Sequence, residues 1–162
     1  MNDAKFLTKF EAADLDRAAW THEAHVRMAW LYLAGGLSYR DARGKVRTGI
    51  KKLNAAFIAR QNAPCGATPP AEPVAEPAAE AKPTGFHETI TTAFVRLVAA
   101  RSRPGEKFAG FRKRNPDLFD RKLTALLAHY TRERLFSDEA KTHFVEPDLA
   151  PLPKPWLAPV AV

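Results

Sequence analysis

Residues 38–60 read SYRDARGKVRTGIKKLNAAFIAR, and their spacing decides the fold class. Ser38 and Asp41 make a Ser-x-x-Asp start resembling a capping box, in which the serine hydroxyl accepts from an orphan N–H of the first turn. Behind it, Ala42, Val46, Ile50, Leu53 and Phe57 recur at steps of 4, 4, 3 and 4. That is the repeat of a helix with one apolar stripe, whereas a half-buried strand would alternate. Arg40, Arg43, Arg47 and Lys51 form a second stripe on another face. The segment therefore predicts a long amphipathic helix that must bury one side against other elements.

The flanking sequence supplies those elements. Residues 21–33, THEAHVRMAWLYL, follow an N-cap at Thr21 and stop before Gly35-Gly36. Residues 86–101 give a third helix, with Phe86, Ile90, Phe94 and Leu97 on one side and Arg103-Pro104-Gly105 beyond its end. Asn115-Pro116 reads as an N-cap with proline at the first helical position, opening a helix through about Tyr130. Ser137 caps a short helix to about Phe144, and a further helix covers residues 3–12. No segment alternates like a strand. The expected fold is all-α, a compact bundle of five or six helices.

Proline marks the internal boundary. None of the 13 prolines precedes position 64, and six fall between 64 and 83. Residues 61–84 are Pro/Ala/Glu-rich and nearly devoid of large apolar groups, so burial cannot offset their ordering entropy. A single helical domain over 1–150 is expected, interrupted by a flexible or extended linker at 61–84. Residues 151–162, PLPKPWLAPVAV, read as an extended tail that Trp156 and Leu157 anchor.

Composition narrows the class. The chain has 162 residues, 46% of them apolar and 27% charged, enough to build a core. No apolar run reaches the roughly 18 residues of a membrane span. The start, MNDAKFLTKFEAADLD, lacks the apolar centre of a secretory signal, and the lone Cys65 has no internal disulfide partner. The expected location is cytoplasmic. The net charge of +7 suits anionic partners in principle, but the excess is spread over both halves of the chain. With no basic tail or dense cluster, it argues against nucleic acid. Cys65 has no companion for nucleophilic chemistry. No glycine-rich phosphate loop, Cys-x-x-Cys pair or nucleophile elbow is present.

Three of the five histidines fall in two motifs, WTHEAHVRMAWLYL at 20–33 and GFHETITTAF at 85–94. On a helix, His22 and His25 lie about 60° apart and share the apolar face with Val26, Ala29, Tyr32 and Leu33. In the third helix His87 shares a face with Ile90, Phe94 and Val98. Thr91 lies near it, Glu88 sits at the margin, and Thr89, Thr92 and Arg96 point away. Three imidazoles, a carboxylate and a hydroxyl thus converge between two helices. Each inward polar group needs a partner, since an unsatisfied one costs roughly 1–3 kcal/mol.

Three explanations stay open. A divalent transition metal (iron, zinc or copper) would take His22, His25, His87 and Glu88 as ligands, with Thr91 behind them. Glu88 would alternatively be a general base. Metal-free acid–base or binding chemistry would use a buried histidine oriented by Glu88. In the third case the histidines only satisfy backbone carbonyls or neighbouring polar groups. Trp20, Trp30, Tyr32, Phe86 and Phe94 either line a pocket around them or form plain core. His129 and His143 are weaker candidates.

The two motifs resemble a bacterial family of uncharacterised all-helical proteins, with W/F-T-H-x-x-H near the start and G-Y/F-H-E-T-I/L-T later. Here they read Trp20-Thr21-His22-Glu23-Ala24-His25 and Gly85-Phe86-His87-Glu88-Thr89-Ile90-Thr91. Asn115-Pro116-Asp117-Leu118 and Ser137-Asp138-Glu139-Ala140 resemble its later part. The resemblance covers most of residues 6–148 outside the linker and implies a helical fold without assigning an activity.

The leading expectation is a small helical metalloprotein, in one form an enzyme, acting on a small molecule at this histidine site. The alternatives are a metal-free small-molecule-binding or accessory protein with a His/aromatic pocket, and a binder of anions or nucleic acid through the basic helix face. Oligomeric state stays open, a homodimer included.

Overall fold

The computed structural model describes residues 1–62 and 86–155. Among them all regular structure is helical. It comprises α1 (Asp3–Glu11), α2 (His22–Ala34), α3 (Tyr39–Gln61), α4 (Glu88–Arg101), α5 (Phe108–Arg114), α6 (Thr124–Leu127), α7 (Arg132–Leu135) and α8 (Asp138–Thr142). Single 3-10 turns occur at Arg17–Ala19 and Pro116–Phe119. Most of the 61–84 segment, Cys65, Trp156 and Leu157 lie outside the described residues. No helix among the described residues is long and apolar enough to cross a membrane.

The helix starts follow the local chemistry. Thr21 accepts from the Ala24 N–H at 3.2 Å, Ser38 from Asp41 at 3.1 Å and Ser137 from Ala140 at 3.2 Å. Each satisfies one donor that the first turn leaves without an intrahelical partner. Helix α2 ends at Gly35-Gly36, where Gly36 takes φ +92°. The α3 stripe is buried along its length, from Ala42 through Val46, Ile50 and Leu53 to Phe57. Its larger members contribute roughly 1.5–3 kcal/mol each.

Helix α4 is the central element, packed against α2, α3 and α8. Two sequence expectations are corrected there. The helix begins at Glu88 rather than at 86, so His87 is its N-cap and not part of its first turn. Thr89 and Thr92, expected to point away, are fully buried at 0% and 3% exposure. For Thr89 the reason is the chain after α8, which runs along the back of α4. The Thr89 hydroxyl donates to the His143 carbonyl at 2.9 Å and accepts from the Val145 N–H at 3.1 Å. Farther along, Arg96 donates to the Pro153 carbonyl at 3.0 Å, and Leu152 is buried.

The expected continuous helix through Tyr130 is also corrected. Asn115 turns its amide back to the Phe111 carbonyl at 2.8 Å instead of capping forward. Only a 3-10 turn follows. Asp120 then accepts from the Lys122 N–H at 2.9 Å and the Thr124 hydroxyl at 2.5 Å, which folds the chain over. Leu123 is left-handed there, at φ 60° and ψ 34°. Short α6 starts beyond it.

Candidate functional site

Helices α2, α3 and α4 do not close completely on one another. They leave a cavity of about 290 Å³ whose walls include His22 and His25 from α2 and His87 from the cap of α4. Thr91 also lines it. The rest of the wall is apolar: Val26, Ala29, Val46, Ile50, Ile90, Phe94, Val95 and Leu123. No Asp, Glu, Lys or Arg is among these residues.

Each imidazole has one nitrogen held by the backbone, and the partner determines where the proton sits. His22 Nε2 lies 2.8 Å from the Leu118 carbonyl, and His25 Nδ1 lies 2.6 Å from the Thr21 carbonyl. A carbonyl only accepts, so those two nitrogens donate. In the neutral rings His22 Nδ1 and His25 Nε2 therefore keep their lone pairs. His87 is the reverse. Its Nδ1 accepts from the Ile90 N–H at 3.2 Å, so the neutral ring carries its proton on Nε2. That Nε2 is buried and has no hydrogen-bond partner.

Burial disfavours the charged form of two of the three imidazoles. Burial lowers the pKa of His25 from 6.5 to about 4, opposed by the Thr21 carbonyl and assisted by repulsion from His22 and Arg17. Burial also lowers that of His87, opposed by the Leu135 and His87 carbonyls and assisted by Lys141. Aromatic rings hold the imidazoles in place. Trp20 lies over His25 with centroids 3.9 Å apart, and Phe94 meets His22 edge-on at 5.2 Å.

Of the residues singled out from sequence, the cavity brings together His22, His25, His87, Thr91 and Phe94. The others go elsewhere. Glu88 does not line the cavity. Its Oε2 is buried 3.0 Å from Arg47 Nε, a close ion pair without an aligned hydrogen bond. Tyr32 donates to Glu11 at 3.0 Å on the α1 side, and Trp30 packs against Phe108 and Phe111. Phe86 lies beneath Lys51, whose Nζ is 4.7 Å from the ring centroid. His129 bonds the Ala150 carbonyl at 3.0 Å and His143 the Thr142 hydroxyl at 2.9 Å. Among the described residues no group of three His, Cys, Asp or Glu is arranged to hold a metal ion.

The basic stripe on α3 is partly used within the fold. Arg47 pairs with Glu88, Lys51 covers Phe86, and Arg43 lies 5.9 Å over Tyr39. Sequence reading missed Leu118 and Leu123. Leu118 contributes through its carbonyl, which any residue would offer. The signal for Leu123 was the Asp120-x-Lys122-x-Thr124 spacing, which suits an aspartate-capped turn. No protein-family model, curated protein or solved structure matches the chain.

Proposed function

We propose that this protein binds a small organic molecule in the cavity between α2, α3 and α4. The observation that carries the reading is the cavity itself. Eight apolar residues surround three imidazoles and a hydroxyl, with no Asp, Glu, Lys or Arg in the wall. Ligand sites have this make-up, an apolar body with a few placed polar groups. At about 290 Å³ it lies at the small end of such sites. The test is a fragment screen by ligand-observed NMR on the intact chain and on Ala29→Leu, which fills the cavity from its wall. Fragments that bind the parent and not the variant support the reading. A screen without hits, or hits unaffected by the filled cavity, overturns it.

A transition-metal site is the second reading, and the backbone bonds of His22 and His25 favour it. Metal-ligating histidines commonly donate their other ring nitrogen to a carbonyl, as both do here. The lone pairs of His22 and His25 would then be the ligands, with His87 and Glu88 completing the set only after moving. Elemental analysis after incubation with zinc, iron and copper and desalting decides it. Near-stoichiometric metal that is lost in His22→Ala and His25→Ala favours this reading. Reaction chemistry, if any, would fall to the same imidazoles as acids and bases.

A further inference from the structure

The chemical class of the ligand follows from how the three rings are tied down. This inference rests on the binding reading above and goes on to ask what the cavity selects. His87 is the unusual member. Its Nδ1 is committed to capping α4, which leaves a buried Nε2–H donor without an aligned hydrogen bond, although the Leu135 carbonyl lies near the ring. Such an orphan is rare in a folded chain and is held at a cost. His22 and His25 present the opposite valence, each with its donor spent on a carbonyl and a lone pair left over. The wall thus holds an unused donor on the α4 side and unused acceptors on the α2 side. It has no lysine or arginine to match an anionic ligand and no carboxylate to match a cationic one.

We infer that the cavity selects a neutral, compact molecule with an apolar body that carries both a hydrogen-bond acceptor, for His87 Nε2–H, and an N–H or O–H donor, for His22 or His25. Primary and secondary amides and similar uncharged donor–acceptor groups on a ring or short hydrocarbon fit this description. Carboxylates, phosphates and ammonium compounds do not. The space of about 290 Å³ lies at the small end of ligand sites, which limits the ligand to a compact body.

Three near-isosteric probes test the inference on the full chain: benzamide, which is neutral with donor and acceptor, benzoate, which is anionic, and toluene, which has neither group. Dissociation constants are measured by NMR titration at pH 7.5. Benzamide is expected to bind at least tenfold more tightly than either of the others. His87→Ser keeps a hydroxyl acceptor at the α4 N-cap and removes the imidazole donor. It should erase the benzamide advantage while leaving toluene affinity within about threefold. Toluene binding as well as benzamide would overturn the proposed polar selectivity and leave the cavity reading intact. Benzoate binding best would overturn the neutrality. Failure of all three probes to bind at millimolar concentration would overturn both this inference and the reading beneath it.

Discussion

The His22 imidazole donates to the Leu118 carbonyl at 2.8 Å, joining positions 96 residues apart. This bond ties the start of α2 to the 3-10 turn that precedes left-handed Leu123. Replacing His22 by Phe keeps a ring against Phe94 but leaves the carbonyl without its partner. The expected cost is about 1–3 kcal/mol, read from urea unfolding. Amide exchange should quicken first between residues 116 and 124. Unchanged stability with uniform exchange would show that the bond contributes nothing.

Protonation of His25 should make the fold acid-sensitive above the carboxylate range. The unfolded histidine titrates near 6.5 and the folded one at about 4. Between those values the unfolded chain holds more protons, so stability falls as pH drops. The neutral His25 contribution is complete above about 6.5 and is lost by about 4, a change on the order of 3 kcal/mol. Glu106, Asp117, Asp120 and Asp148 have lowered pKa values, so their losses come at more acidic pH. His25→Gln should make the limb between pH 6.5 and 4 shallower, the remainder belonging to His87, whose pKa burial also lowers, as measured by melting temperature. A limb of unchanged slope would sink the assignment.

Two glycines of α3 should respond oppositely to alanine. At Gly49 an added methyl would overlap the Phe10 ring, whereas at Gly44 nothing lies within 4 Å. Gly49→Ala should therefore destabilise by roughly 1–3 kcal/mol as α1 is pushed off α3. Gly44→Ala should stabilise by about 0.5–1 kcal/mol through helix propensity. Denaturant midpoints of the pair separate packing from propensity, and equal effects would refute the close α1–α3 approach.

Thr89 should hold the C-terminal segment. Its hydroxyl is fully buried and bonds both His143 and Val145. Thr89→Val preserves the shape and strands two backbone groups, at about 1–3 kcal/mol. Limited proteolysis should then cut first beyond α8. Thr89→Ser, which keeps the hydroxyl, should restore most of the protection.

The sequence showed the parts of this structure that depend on one element at a time. The α3 stripe is legible because each member faces the same way, and Thr21, Ser38 and Ser137 because a cap is chemistry within four residues. The face of α2 could be read likewise, so His22 and His25 fall where the helical angle puts them. Periodicity failed at α4, because a wheel assumes one wet side and this helix is surrounded. Thr89 is inside as a partner for backbone that arrives from 54 or more positions away, and Thr92 is buried on the same helix. His87 was expected within the helix, but its ring accepts the Ile90 N–H and so ends up capping it. The seven residues of α5 are too few to display a period, although Phe111 is entirely buried. Glu88 read as a site residue because its neighbour is one. Arg47, from the basic stripe of α3, draws it to α3 instead.

The cavity walls come from both sides of residues 63–85: His22, His25, Val46 and Ile50 before them, His87, Ile90 and Phe94 after. A molecule seated there touches both parts and behaves as a noncovalent cross-link between them. With free ligand well above its dissociation constant, each further tenfold in concentration adds about 1.4 kcal/mol to their cohesion. On the proposed reading, occupancy and the integrity of the bundle would be one linked equilibrium, and the protein's resistance to unfolding would gauge how much ligand surrounds it.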